Sequence, residues 1–436
     1  MRLLVITYYW PPSGGPGVQR WLKTSIELLK KGMDVEVLTV DEKFATYPLL
    51  DTTLLVETKN IKVHKSHSTN WFNSYQKITR RKEIPFSGFA NQAGKPGPIQ
   101  KLSRFIRGNF FLPDPRRGWN TYAIKKAIDL HSEQPFDAIV TSGPPHSSHL
   151  IGKALKKKIN CLWYADFRDP WTDIYYYHQF YPLFFARAYD KKLERSVLKE
   201  SDGVFSVSKD LIRILNNKEP EIQKDKFLEL PNGYDPEDFS KTKNPSKNKI
   251  FTLVYTGTLT LDYPLSLLYH SLEEIIKKME DDFCLKIAGR PAKECVNHLT
   301  ELSNKYLNFQ FESLGYISHR ESVALMESAD SLLLLIPEIA ENKGILTGKI
   351  FEYIGSGLPV WGFGPTDGDA QDILHKCEAG SLHEDSKTAI KALEEYIDKR
   401  PKGAPINHRT KYTREGLAQK ILERILRDIK KNEALA

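Results

Sequence analysis

The stretch NKGILTGKIFEYIGSGLPVWGFGP, residues 342–365, passes through a loop, a helix, a glycine turn and a buried strand in quick succession. Thr347 and Gly348 stand where a helix begins, and Ile350, Phe351 and Ile354 recur at helical spacing. Gly355 and Gly357 stop the helix before the apolar run LPVWGF. Lys349 and Glu352 are three positions apart and share one face. A small-residue loop that opens a helix leaves N–H groups unpaired at the positive end of the helix dipole, a place for phosphate oxygens. A carboxylate one turn further in can accept hydrogen bonds from sugar hydroxyls beside that phosphate. The same pattern also fits an ordinary surface helix with an exposed Lys/Glu pair, so the stretch alone leaves both readings open.

Working outward, the strands IFTLVYTG, FCLKIAG, NFQFESLG and SLLLLIP precede this stretch with helices between them, and Gly257, Thr258 and Arg290 fall at strand ends. The first half has the same layout. Residues 2–9 read as a strand, PPSGGPG as a turn, and Val18, Trp21, Leu22, Ile26 and Leu29 as the apolar face of a helix leading to the strand VEVLTV. The predicted fold class is therefore α/β, two doubly wound Rossmann-like domains facing across a cleft. With 436 residues, two domains are the default. The expected division is 1–236, 237–410 and a C-terminal amphipathic helix over 411–436, which crosses back to the first domain. That helix carries Leu417, Ile421, Ile425 and Ile429 at four-residue spacing, and the polar residues 235–249 read as a linker.

Gly15 and Gly17 fit the start of a dinucleotide fingerprint, and Asp41 follows the second strand, but the third glycine position holds Arg20, so a nicotinamide cofactor is disfavoured. Two polar clusters sit at later strand ends, where open α/β sheets place ligands. One follows FDAIVTS and contains His146; the other is Asp166, Arg168 and Asp169. These groups are suited to positioning an acceptor hydroxyl or balancing a diphosphate; equally, the arginine and an aspartate can simply pair to cap the sheet. The aromatic run over residues 171–181 reads either as a wall against a sugar or lipid or as packing.

The net charge of +8 is concentrated: residues 61–130 hold fourteen Lys and Arg against three acidic residues. Anionic head groups, polyphosphates or nucleic acid are the partners such a region attracts. Within residues 43–118, which break the strand–helix alternation and include a basic insertion over about 60–118, Ile99, Leu102, Phe105 and Ile106 fall on one helical face, with Lys101, Arg104 and Arg107 around the other. That pattern suits a helix in a membrane interface, with cations toward lipid phosphates and contact with an anionic membrane through residues 99–117. It equally suits a helix packed on its own domain. No nucleic-acid-binding module is recognisable. Cys161, Cys284, Cys295 and Cys377 form no ligand pattern, so no metal site is expected and the thiols read as reduced. The N-terminal run MRLLVITYYW reads as a strand rather than a leader, no apolar run is long enough to span a bilayer, and a cytoplasmic location, peripheral at the inner membrane face, is expected.

GKIFEYIGSGLPV, LGYISHRESVALMESADSLLLLIP and LPNGYDPEDF resemble the donor-binding helix, the segment before it and the interdomain hinge of GT-B glycosyltransferases of the family 4 type. YYWPPSGGPGVQR, TSGPPHSSHLIG and ADFRDPW resemble a bacterial subgroup of them. The resemblance covers nearly the whole chain. It implies a retaining, metal-independent transferase with no cofactor, taking a sugar from a UDP- or GDP-sugar donor to a glycan or lipid-linked acceptor in cell-surface polysaccharide or glycoconjugate synthesis. By it Glu352 holds the donor ribose, Thr347, Gly348 and Lys349 lie along the diphosphate or sugar, and Gly15 and Gly17 face that diphosphate. The sequence departs from the family pattern where a carboxylate is expected at Gly344 and where an Arg and a Lys are expected near Thr258 and Tyr263. Arg290, Lys349 or Arg168 is then left to supply the missing charge. A sugar-nucleotide epimerase, or a non-catalytic nucleotide-sugar-binding protein, is the alternative reading.

Overall fold

A parallel sheet covered by helices on both faces needs strands that are apolar on both faces. RLLVI, AIVTSG and LWYADF satisfy this, and every residue of these three strands is buried. The computed structural model describes residues 1–69, 97–239, 250–400 and 405–434. Seven strands form the first sheet: β1 Arg2–Ile6, β2 Asp34–Val40, β3 Lys62–Ser66, β4 Ala138–Gly143, β5 Leu162–Phe167, β6 Gly203–Ser206 and β7 Phe227–Glu229. All pair in parallel, in the order β3-β2-β1-β4-β5-β6-β7. The winding direction reverses between β1 and β4, and the crevice beyond that reversal is where doubly wound sheets hold ligands.

Helices α1 Pro16–Lys30, α2 Pro98–Phe110, α3 Asn120–Glu133, α4 Ser147–Lys156, α5 Phe184–Glu200 and α6 Lys209–Lys218 accompany this sheet. On one side Leu4, Ile6, Ile139 and Trp163 pack with Ala123, Ala127, Ile151 and Leu155. On the other, Leu3, Val5 and Tyr164 pack with Trp21 and Leu22 of α1 and with Leu417, Ala418, Ile421 and Ile425 of the last helix, Arg414–Glu433. The chain therefore divides into two units, Met1–Pro231 with Leu417–Ala436, and Asn232–Gly416. These divisions lie a few residues from the expected 236/237 and 410/411, and the last helix does return to the first sheet.

The second unit repeats the plan with β8 Phe251–Leu259, β9 Phe283–Pro291, β10 Phe309–Gly315, β11 Ser331–Leu335, β12 Val360–Phe363 and β13 Gly380–His383. Their order is β10-β9-β8-β11-β12-β13, again parallel, with the reversal between β8 and β11. Its longer helices are α7 Leu265–Lys278, α8 Lys293–Lys305, α9 His319–Glu327, α10 Gly348–Ser356, α11 Asp369–Lys376 and α12 Ser386–Lys399. Residues 342–365 thus fold as loop, helix, turn and strand, with α10 ending at Gly357 in the left-handed region (φ 77°) before β12; Gly355, expected to help stop the helix, lies within it, where an added Cβ would meet the Tyr234 and Phe239 rings at 2.6 Å.

Two strands were not anticipated. β3 lies inside the segment read as interrupting the alternation, and its KVHKS is only partly buried, as suits an edge strand whose charged residues leave no apolar period. β13, GSLH, is too short and mixed to register. Of the expected linker, residues 240–249 lie outside the described residues, as do Lys77, Arg80, Arg81, Lys82, Glu83 and Lys95 of the basic segment.

Candidate functional site

In the first unit, loops after β1, β4 and β5 meet at the winding reversal and, with α2 and the turn after it, enclose a cavity of about 260 Å³. Gly15, Gly17, His146, Arg168 and Asp169 all line it. The glycines have separate reasons. Gly15 adopts φ 104° at the start of α1, a conformation side chains disfavour. At Gly17 an added Cβ would lie 1.5 Å from Nη1 of Arg168, so only a residue without a side chain lets that guanidinium lie against the first turn of α1. Arg168 is held from below: Nε donates to Gly143 O (3.2 Å) and Nη2 to Pro144 O (2.5 Å).

Asp166 does not join this site. It is fully buried, and its two oxygens accept from Arg20 Nη2 (2.7 Å) and Nε (3.2 Å), Trp21 Nε1 (2.7 Å) and Ser142 Oγ (2.9 Å). Burial alone would raise its carboxyl, but the Arg20 charge and these donors override that and hold it below the usual range. Arg20, the residue that breaks the dinucleotide spacing, is thus there to tie α1 to β5 and, through Nη1, to Pro231 O (3.1 Å). Asp166 is thus paired with Arg20 and not with Arg168, the partner that the alternative reading gave it. Asp169 stays in the cavity, and burial raises its carboxyl against the opposing pull of Arg168.

His146 precedes α4 and stacks on Trp171 with ring centroids 5.0 Å apart and planes within 7°. Burial, then the neighbouring His149 and Arg168, hold its pKa well below the ordinary value, so it is neutral near pH 7. Its Nδ1 is buried and makes no hydrogen bond among the described residues. His146 is therefore suited to orienting a group in the cavity rather than to carrying charge.

Two further cations in the cavity lining, Arg107 and Arg116, were not read from the sequence as site residues. Of the three α2 cations expected to face lipid, Lys101 is exposed but Arg104 and Arg107 turn inward. Arg104 is buried and donates to Gln179 Oε1 (3.1 Å), and the Arg107 guanidinium lies 4.1 Å over the Phe180 ring. Leu102 and Ile106, on the apolar face of this helix, are 59% and 36% exposed rather than packed on the unit's own core. The side chain of Ile99 lies outside the described residues. Burial and then Arg116 lower Arg107 to about 10, which still leaves it charged at neutral pH.

In the second unit the predicted donor residues gather at the ends of β8 and β9 and the start of α10. Gly257 pairs with Gly289, and Thr258 with Arg290, in the β8–β9 register. Gly257 has φ 113°, and a Cβ there would lie 2.5 Å from Cε of Lys349. Lys349 crosses this gap to donate from Nζ to Tyr255 Oη (2.6 Å), with Nζ 4.4 Å from the Tyr255 ring centroid and 5.7 Å from that of Tyr263. Burial lowers its pKa to about 8, with the Glu352 charge opposing the shift. The Thr347 hydroxyl makes no cap to α10 and is buried without a partner among the described residues, while Gly348 has open space where a side chain would be. Glu352 lies one turn on, its Oε1 3.9 Å from His319 Nδ1; burial raises its carboxyl, opposed chiefly by His319 and Arg414. Arg290 is exposed and lies 5.7 Å from the Tyr316 ring centroid. An uncapped helix start with a lysine at one side and a carboxylate a turn away can bind a phosphate and an adjoining diol.

Among the described residues no group of three or more His, Cys, Asp or Glu side chains is placed to hold a metal ion, and no helix is long and apolar enough to cross a membrane. No model of a known protein family matches the sequence, and a search of curated proteins finds no match. Solved structures do match over the full length. The apo form of the lipopolysaccharide outer core galactosyltransferase WaaB aligns over 98% of this chain and all of its own, with TM-score 0.58 and 13% identity. Anabaena Alr3699/HepE in complex with UDP aligns over 100% of both chains, with TM-score 0.53 and 14% identity. An enzyme described as a putative UDP-N-acetylglucosamine 2-epimerase from Listeria monocytogenes aligns over 99% of this chain and 98% of its own, with TM-score 0.54 and 10% identity. At such identities the likeness establishes a shared fold, and that fold is the two-domain GT-B arrangement of Rossmann-like units found in glycosyltransferases.

Proposed function

We propose that the chain is a glycosyltransferase of hexosyl type that moves a sugar from a nucleotide-sugar donor, bound in the second unit, to a glycan or lipid-linked acceptor bound in the first. The observation that carries this is the start of α10, where Lys349 lies beside Gly257 at the winding reversal of the second sheet and Gly348 and Glu352 occupy the same first turns of the helix. Breaking the anomeric C–O bond leaves a diphosphate on which negative charge grows, and the site must offer preorganised positive potential there. The α10 N–H groups and Lys349 supply it, and Glu352 takes the ribose hydroxyls. This chemistry does not call for a metal, and with the leaving phosphate as the acceptor's base it proceeds with retention. Arg168, Asp169 and His146 then orient the acceptor in the first-unit cavity, on a route to cell-surface polysaccharide or glycoconjugate. UDP is favoured as the nucleotide because HepE was solved with it.

Glu352→Ala and Lys349→Ala are expected each to remove most transfer while leaving the melting profile near wild type; full turnover by both variants would refute the assignment. The epimerase reading has the Listeria likeness in its favour. The two separate on product: a transferase consumes donor only with acceptor present, whereas an epimerase interconverts donor alone. Thermal-shift titration against UDP- and GDP-sugars identifies the base.

A further inference from the structure

The Arg-lined cavity of the first unit opens beside an apolar surface that packing does not explain. Along α2, Leu102, Ile106 and Phe110 are 59%, 36% and 70% exposed, and beside them Leu183, Phe184 and Phe185 are 42%, 89% and 64% exposed. The two groups are fastened together. Asn109 Nδ2 donates to Tyr181 O (3.1 Å), its Oδ1 accepts from Leu183 N (2.7 Å), and Gly108 lies so close that a Cβ would sit 2.3 Å from Phe180 O. Arg107, Gly108 and Phe180 line the cavity, so cavity and apolar apron share one wall. A contiguous apolar surface of this kind marks an interaction site.

Charge selects the partner. Arg187, Lys191 and Lys192 of α5 and Lys101 of α2 are exposed around the apron, whereas the acidic residues nearest them on α5, Asp190 and Glu194, are buried. Apolar side chains rimmed by cations match the interface of an anionic bilayer, where aromatics sit at head-group depth and each nearby Lys or Arg adds attraction. We propose that the α2–α5 apron seats the first unit on an anionic membrane, so that Arg107, Arg116 and Arg168 receive the phosphate or diphosphate head of a lipid-linked acceptor. The acceptor part of this rests on the transferase reading; the docking part does not. The apolar face of α2 enters the bilayer while its Arg107 turns inward to the cavity.

The test is co-sedimentation of the full chain with phosphatidylcholine vesicles, alone or with phosphatidylglycerol, and with phosphatidylglycerol plus a polyprenyl phosphate. Wild type is expected to bind the anionic vesicles, and Phe184→Ser/Phe185→Ser to bind at least about tenfold more weakly, since both rings leave water on docking. Because both side chains are exposed, the variant keeps the wild-type circular dichroism and melting curve. Adding polyprenyl phosphate tightens wild-type binding, and Arg107→Gln removes that increment without abolishing binding to phosphatidylglycerol. Free inorganic pyrophosphate competes with the increment alone if the cavity reads the phosphate head. No binding to any vesicle, or unchanged binding by the phenylalanine variant, overturns the proposal; so does conversion of a dimer to a monomer by that variant, which would give the apron to a second copy of the chain. UDP binding is measured on the same samples. Its loss in wild type counts against the transferase reading, and its retention alongside failed vesicle binding counts against the apron alone.

Discussion

Asp166→Asn offers the sharpest separation between a structural and a chemical role in the first unit. The substitution keeps the size of the side chain but removes its charge and places an NH2 group among four donor contacts, from Arg20 Nε and Nη2, Trp21 Nε1 and Ser142 Oγ. At least one contact becomes donor against donor, and Arg20, only 7% exposed, loses the carboxylate it is paired with. Removing one partner of a buried pair costs about 3–5 kcal/mol. At about 2–4 °C per kcal/mol for a unit of this size, the melting temperature of the first unit should fall by roughly 6–20 °C. Urea unfolding followed by tryptophan fluorescence reads the change, with UDP binding as a control on the second unit. A second substitution, Arg20→Met, should restore part of the loss, because the pair is then absent rather than broken. The pH dependence has a definite sign: a carboxyl depressed on folding stabilises above its unfolded pKa, and that contribution is lost as pH falls through the folded value. Asp166→Asn should flatten the acid limb. If Asp166→Asn unfolds within about 1 kcal/mol of wild type yet abolishes transfer, the buried-pair argument is wrong and Asp166 acts on substrate.

Gly17→Ala should push the Arg168 guanidinium off its two carbonyls; at about 1.5–3 kcal/mol for each charged hydrogen bond, less about 1 kcal/mol of helix propensity gained, the cost is about 2–5 kcal/mol, with a raised acceptor KM. Equilibrium dialysis should show UDP affinity falling as pH rises through about 8, where Lys349 loses its charge, and Lys349→Met should remove that step. Because the Lys349 pKa is lowered on folding, the unfolded chain binds more protons between about 8 and the ordinary lysine value, so stability of the second unit should rise over that interval and cease to do so in Lys349→Met. The four thiols are buried and unpaired with one another, and burial raises Cys161 to about 12 and Cys284 and Cys377 to about 11. Ellman's reagent at pH 8 should therefore react with the denatured chain and hardly at all with the native one.

The doubly wound plan was readable because buried parallel strands announce themselves: SLLLLIP and LPVWGF admit few other fates, and Gly357 ends α10 where a left-handed residue is needed. What the sequence withheld was direction. The helical wheel of α2 has an apolar and a basic face, but periodicity cannot say which face meets protein, and here Arg104 and Arg107 turn inward while Leu102 and Ile106 face out. The DFRD cluster was similar. Two aspartates and an arginine at a strand end are neighbours in sequence, yet Asp166, still within β5, points to Arg20 of α1, while Asp169, two residues past the strand, lines the cavity. A partner 146 positions away leaves no local trace. The place of Lys349 at a helix start was legible, but its rest on Tyr255 required knowing that β8 ends beside α10.

The first unit takes one wall of its core from Leu417, Ala418, Ile421 and Ile425, nearly two hundred positions beyond its own last strand. During vectorial synthesis this half is made first yet cannot close until that distal segment has left the ribosome, whereas residues 232–416 have all their own parts beforehand. The half translated later is therefore the one equipped to finish first, and the half translated earlier waits with apolar Leu3, Val5 and Trp21 uncovered. A stop codon after residue 416 should thus yield an intact second unit joined to a chaperone-dependent, aggregation-prone first one.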